Sequence, residues 1–231
     1  KEWCANHIQK VLTNEKYKGD TRFHKTFNAD YLTKRRAKNN GELPQYYLQD
    51  THPAIIDRET WALVQLEFAR QKQYAKEHFM DKFHRHCENV PLSGKIICSE
   101  CSRPFHMHNT KRIAGKNIKY WQCPATLPIN KICGNSLKLD ERVVEQAFVT
   151  AWNELVNNCA KLQLVGQYSS NNELLRYRQT KLRELIEQYG HIKTLPYELM
   201  LKVLEHIEVE TGFLNAIFLS GNIIRVDLPI P

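Results

Sequence analysis

Four of the seven cysteines in this 231-residue chain are spaced as Cys98-x2-Cys101 and, 21 residues further on, Cys123-x9-Cys133. A C-x2-C turn aims two thiolates at one point, and a second pair arriving from elsewhere completes a tetrahedron around Zn2+. The stretch between the pairs can bring them together. Pro104-Phe105-His106-Met107-His108 reads as one strand and Ile118-Lys119-Tyr120-Trp121-Gln122 as its return, with Ala114-Gly115-Lys116-Asn117 as the turn. Such a hairpin sets Cys123 beside Cys98 and Cys101. Four protein thiolates leave no coordination position for water or substrate. The expected cofactor is therefore one structural Zn2+ held by Cys98, Cys101, Cys123 and Cys133, contributing apparent folding energy on the order of 10 kcal/mol or more.

The competing readings are disulfides, or buried thiols packed as small hydrophobes. Three further cysteines (Cys4, Cys87, Cys159) and the lack of an export signal argue against a disulfide framework. His84, His86 and Cys87 lie nearby but precede the knuckle, and His-x-His is common on solvated loops, so they are not expected to be ligands.

Net charge is +8, from 33 Lys+Arg against 25 Asp+Glu, and it is unevenly placed. Residues 1–90 carry +4 and residues 140–231 carry −3, while residues 91–139 carry +7 with Glu100 as their single acid. The cationic excess therefore coincides with the cysteine hairpin, which points to a polyanion partner, most often nucleic acid. The ordinary alternative is a basic solvated surface.

Hydrophobic residues make up 42% of the chain, enough for a real core. No apolar run approaches the roughly 20 residues of a membrane helix, so no membrane partner is expected. The chain opens Lys1-Glu2-Trp3-Cys4 without an initiating Met or signal peptide, and is expected to be a piece of a longer protein located in the cytoplasm. A Gly-rich phosphate loop, a G-x-S-x-G elbow and a His-Glu-x-x-His are all absent. His206-Ile207-Glu208 matches half of the zinc-deaminase signature but lacks Pro-Cys-x-x-Cys, since Cys123-Pro124 runs in the wrong order. No active site is expected within these residues.

Hydrophobic spacing predicts an α+β organisation. A mixed helical and short-strand domain spans residues 1–90, and a zinc-ribbon hairpin domain with flanking helices and a small C-terminal sheet spans 91–231. In the first, a helix ends before Asn14, an extended stretch is punctuated by Gly19-Asp20, residues 31–41 form a flexible basic loop, and Asp57 caps a helix running to about Lys76. A polar linker then leads to the cysteines. In the second, Asp140 caps a helix, another runs from about Asn172 to Tyr189 with Gly190 as its C-cap, and Pro196 opens a short one. Strands at Ile207–Glu210, Phe213–Leu219 and Ile223–Val226 close the chain.

Several of these segments together resemble the large serine recombinases. Trp3…Ile8-x2-Val11-Leu12-x-Asn14-Glu15-Lys16-Tyr17-Lys18-Gly19-Asp20, Asn39-Asn40-Gly41-Glu42 and His52-Pro53-Ala54-Ile55-Ile56-Asp57-Arg58-Glu59-Thr60-Trp61 are similar to that family's recombinase domain. Leu92-Ser93-Gly94-Lys95-Ile96-Ile97-Cys98-Ser99-Glu100-Cys101 is similar to its zinc-ribbon domain. The resemblance implies a parent site-specific DNA recombinase with a serine nucleophile in a separate N-terminal domain, so no catalytic residue carries over. The expected function is sequence-specific recognition of double-stranded DNA at attachment or transposon-end sites, with other recombinase protomers as partners. Many relatives carry a long coiled-coil hairpin after the ribbon; here residues 160–195 hold one modest helix.

The candidate DNA contacts are Lys34, Arg35, Arg36 and Lys38 in the first domain, and Arg103, His106, His108, Asn109, Lys111, Arg112, Lys116 and Lys119 on the hairpin. Arg and Lys can meet phosphate or guanine, and Asn can read adenine. Two other readings compete: a zinc ribbon that docks protein without reading DNA, and a hydrolase with an unrecognised site.

Overall fold

The computed structural model describes residues 3–30, 32–80, 90–111, 117–126, 132–158 and 172–228. It divides into two compact units, Lys1–Ala69 and Arg70–Pro231.

The first unit begins with α1 (Ala5–Thr13), which stops at Asn14, whose side chain accepts the Lys16 N–H at 3.3 Å and caps a 3-10 turn over Glu15–Lys18. The turn ends at Gly19, with φ +92°, where a Cβ would sit 2.7 Å from the His52 carbonyl oxygen. Only glycine suits that position. The Tyr17 carbonyl accepts the Ile55 and Ile56 N–H groups at 2.9 and 2.8 Å, and the Gly19 carbonyl accepts Thr51 N–H at 2.8 Å. The segments around Asn14–Asp20 and His52–Asp57 are thus fastened to each other backbone to backbone.

Asp20 comes next, fully buried, and gathers partners from four directions. Tyr47 Oη donates to it, Arg58 Nη2 lies 2.8 Å away, Asp50 N–H 3.2 Å and Lys18 Nζ 3.1 Å. The Tyr47 hydroxyl above all, with Lys18, the Asp50 N–H and Arg58, holds its carboxyl well below the usual carboxylate range against the opposing cost of burial. These bonds tie β1 (Thr21–Phe23) and its antiparallel partner β4 (Tyr46–Leu48) to the start of α2 (Arg58–Glu77). Asp57 caps α2 through Thr60 N–H at 2.7 Å.

A second hairpin pairs β2 (Thr26–Asn28) with β3 (Arg36–Lys38). Residues 36–38 are therefore a strand, not part of a flexible loop. Buried Asn39 organises the chain just beyond β3: its Nδ2 donates to the His24 and Leu43 carbonyls at 2.8 and 2.7 Å, and its Oδ1 accepts Gly41 and Leu43 N–H at 3.0 and 3.1 Å. The Asn-Asn-Gly-Glu motif is a folded loop built on one side chain.

In the second unit, β5 (Ile96–Cys98), the hairpin β6 (His106–Lys111) and β7 (Asn117–Gln122), and β8 (Lys138–Asp140) precede α3 (Glu141–Asn157), α4 (Glu173–Tyr189) and α5 (Tyr197–Val203). β9 (Leu204–Glu210), β10 (Phe213–Phe218) and β11 (Ile223–Asp227) complete it. β6, β7 and β8 form one antiparallel sheet. The other runs β11-β10-β9-β5, its last pair parallel. The expected closing sheet is present and has gained β5, a strand that ends on a cysteine.

Trp121, Trp152, Phe105, Phe148, Phe218, Leu199 and Met200 are fully buried in a single core between these sheets and helices. Side-chain caps open α3 (Asp140 to Arg142 N–H, 2.9 Å) and α4 (Asn172 to Leu175 N–H, 3.2 Å). α4 turns Leu174, Leu182 and Ile186 inward, so it packs as a core helix. The region expected to link it to α3, with Cys159, lies outside the described residues, as do His84, His86 and Cys87. Among the described residues no helix is long and apolar enough to cross a membrane.

Candidate metal centre and nucleic-acid surfaces

The knuckle is built by local geometry. Cys98 ends β5, Ser102 takes a left-handed φ of 55°, and the turn closes through Ser102 N–H to the Cys98 carbonyl and Cys98 N–H to the Arg103 carbonyl, both 2.9 Å. β7 delivers Cys123 directly after its last residue. A 3-10 turn over Pro124–Thr126 comes next, and its Ala125 carbonyl accepts the N–H groups of Ile132 and Cys133 at 2.9 and 3.2 Å. That bond is how the widely spaced fourth cysteine returns.

The four Sγ atoms lie within 4.8 Å of one another, with Cys98–Cys133 at 3.6 Å and Cys101–Cys123 at 3.5 Å. Zn–S bonds of about 2.3 Å in a tetrahedron place sulfurs about 3.8 Å apart, so the cage has the size of a zinc site. Burial above all, with the neighbouring thiols, pushes the Cys123 thiol up to about 12; burial, Glu100 and the other thiols raise that of Cys133 as well. Thiolates in such a place need a dication beside them. The ligand set fits one Zn2+, with every position filled by protein, and that zinc is structural. When bound it supplies cohesion, not a reacting water.

Residues that local patterns did not reveal brace this cage. Buried Asn135 donates through Nδ2 to Cys98 Sγ at 3.7 Å and to the Val209 carbonyl at 3.3 Å. Ser99 donates to the same carbonyl through N (3.2 Å) and Oγ (2.8 Å). Glu100 Oε2 accepts Gly134 and Asn135 N–H at 2.9 and 3.0 Å and lies 3.3 Å from Cys133 Sγ. The single acid of the basic segment thus shapes the second cysteine loop. A polar residue soon after a ligand cysteine was the available signal, but its partner Val209 is 74 residues away.

The hairpin does not present the expected contacts on one side. Strand alternation and the register place His106 and His108 with Tyr120 and Gln122, whereas Asn109 sits opposite Lys119, both exposed, on the other face. His108 is half-buried, stacks on Tyr120 with ring centroids 5.4 Å apart and has its Nε2 buried, so it is a platform more than a reader. Exposed Lys138, which the cysteine spacing did not suggest, reaches this platform from β8, with Nζ 5.2 Å from the Tyr120 ring centre. Arg103 is half-buried before β6, its guanidinium 5.2 Å from the Phe79 ring. Lys111 ends β6, paired in register with Asn117. Arg112 and Lys116 lie outside the described residues.

In the first unit, Lys34, Arg35, Arg36 and Lys38 are all exposed, and among the described residues none forms an ion pair. Arg36 and Lys38 flank the inward Ala37 on β3, so both belong to one face of the hairpin.

Residues 1–71 match the family model described as Recombinase, and residues 91–153 match that described as Recombinase zinc beta ribbon domain. A solved crystal structure of an LSR–DNA complex aligns with a TM-score of 0.46 and 17% identity, covering 95% of this chain and 77% of that one.

Proposed function

Because the chain belongs to the large serine recombinases, carrying the recombinase domain and the zinc beta ribbon domain in order, we propose that it recognises duplex DNA sequence-specifically. The targets are attachment or transposon-end sites, and this region is the recognition half of an enzyme whose nucleophilic serine is supplied by another domain. Residues 1–90 and 91–231 act as successive DNA-binding modules in the cytoplasm, alongside other recombinase protomers.

The observation that carries this reading is the exposed run of cations on the β2–β3 hairpin, together with a β6–β7 hairpin that bears exposed Lys119 and is clamped by four thiolates. On the first, exposed Lys34, Arg35, Arg36 and Lys38 meet phosphate. On the second, Asn109 and Lys119 offer adenine and phosphate contacts, joined by Lys111, Arg112 and Lys116, with His106, His108 and Arg103 at the base.

Fluorescence anisotropy on a duplex selected from a randomised pool tests the proposal. Binding at about 0.15 M salt should be roughly a thousandfold tighter than to an unrelated duplex, and log affinity should fall linearly with log salt. Equal affinity for both duplexes would overturn it.

A further inference from the structure

Resting on that reading, we propose that Leu32, at the tip of the β2–β3 hairpin, determines specificity by packing on a thymine 5-methyl group in the major groove. Leu32 is 89% exposed, the highest value among the large hydrophobic side chains of the described residues. It is not on a slack loop. Ala29 N–H donates to the Arg35 carbonyl at 2.9 Å and closes the turn. Within it, Asp30 Oδ1 accepts Leu32 N–H at 3.0 Å, while Oδ2 accepts Thr33 N–H at 3.3 Å and Thr33 Oγ1 at 2.6 Å. The turn holds an apolar side chain outward in water and gains no burial for ordering it. An apolar surface on the partner supplies the missing burial.

Charge selects the partner. Lys34, Arg35, Arg36 and Lys38 lie just beyond Leu32 in the chain, exposed and without carboxylate partners among the described residues. Asp30, the carboxylate at the tip, has both oxygens engaged by the turn. Cations flanking an apolar point suit phosphates flanking a base edge. Size selects the groove: two strands about 4.8 Å apart, with side chains, fill a groove about 12 Å wide and cannot enter one about 6 Å wide. On the floor of the major groove, the apolar group is the thymine methyl.

The test uses the duplex selected by the wild-type chain, an unrelated duplex, and copies of the first with single thymines replaced by deoxyuridine, which removes only the methyl. Leu32→Ala should bind the selected duplex roughly tenfold more weakly, and the unrelated duplex and the salt slope should be unchanged. One deoxyuridine position should weaken the wild type several-fold and leave Leu32→Ala unaffected. Lys38→Ala should instead weaken both duplexes and make the salt slope shallower by about one. Because Leu32 is exposed, the variant's melting temperature should match the wild type, which separates this from a folding defect. An unchanged affinity for Leu32→Ala, an equal loss on both duplexes, or additive effects of Leu32→Ala and every deoxyuridine would overturn the assignment. If the wild type distinguishes no duplex, the functional reading falls with it; if it does and Leu32→Ala is indifferent, only Leu32 is refuted.

Discussion

The two compact units are held together by opposite means. Among the described residues of the first, only Gly19, Asp20, Asn39 and Trp61 are buried, and two of those four are polar hubs. The second closes a continuous apolar core of tryptophans, phenylalanines and aliphatic residues, with a thiolate cage at one end. A segment of some tens of residues buries too little apolar surface to stand on that alone. The first unit therefore depends on side chains that each fix several backbone groups, and it leaves Phe23, Tyr46, Leu48 and Ile55 exposed. Its stability is concentrated in a few hydrogen bonds and its surface stays available. The second unit spreads stability through packing and concentrates vulnerability at the metal.

Metal removal should break this comparison most strongly. Chelation, or Cys133→Ser, should abolish hydrogen-exchange protection across residues 92–140 and weaken it in β9, because Val209 is bonded to the knuckle, while Asn39 and its loop stay protected. Equal loss in both units would show that the metal holds the whole chain.

Next in size is acid. A carboxylate held below its ordinary range stabilises fully above its unfolded pKa near 4, and that stabilisation is lost as pH falls toward the folded value. The first unit should therefore begin to unfold below about pH 4 even where zinc-independent parts of the second remain. Asp20→Asn should lower its stability at neutral pH and flatten this dependence, as tracked by amide NMR of residues 14–56. A first unit equally stable at pH 3 and pH 7 would remove Asp20 from its central role.

Asn135→Ala should have the smallest of the three effects, a zinc affinity reduced roughly tenfold with the fold retained. Competition with a chelator measures it, and an unchanged affinity would reduce Asn135 to a loop brace.

The features legible in the sequence were those that a few neighbouring residues decide. Asp57 and Asp140 cap helices as their spacing predicts, and Cys98-x2-Cys101 makes its own turn. The register of β6 on β7 likewise comes from a short hairpin. The illegible features depend on distant partners. β5 belongs to a sheet whose other strands begin at Leu204, and β8 pairs with β7 across the second cysteine loop. Gly19-Asp20 and Asn39-Asn40-Gly41 read as turn punctuation because an aspartate or asparagine shows no local sign of being buried. The basic run 34–38 read as solvated loop because a charge run carries no strand signature of its own, and pairing with Thr26–Asn28 makes a strand of Arg36–Lys38. Among the candidate contacts, alternation separated His106 and His108 from Asn109 and Lys119 only once the register was known.

The parallel pairing of β5 with β9 joins Cys98 to Val209 across 111 positions of chain. During synthesis the cysteine knuckle emerges from the ribosome well before the strand that braces it. The early hairpin must therefore capture its ion with Asn135 and Ser99 still lacking their common acceptor, and the cage tightens only when the last third of the chain arrives. Long-range closure of this kind is slow, which makes the interval before β9 docks the time when the thiols are most open to oxidation or a competing metal.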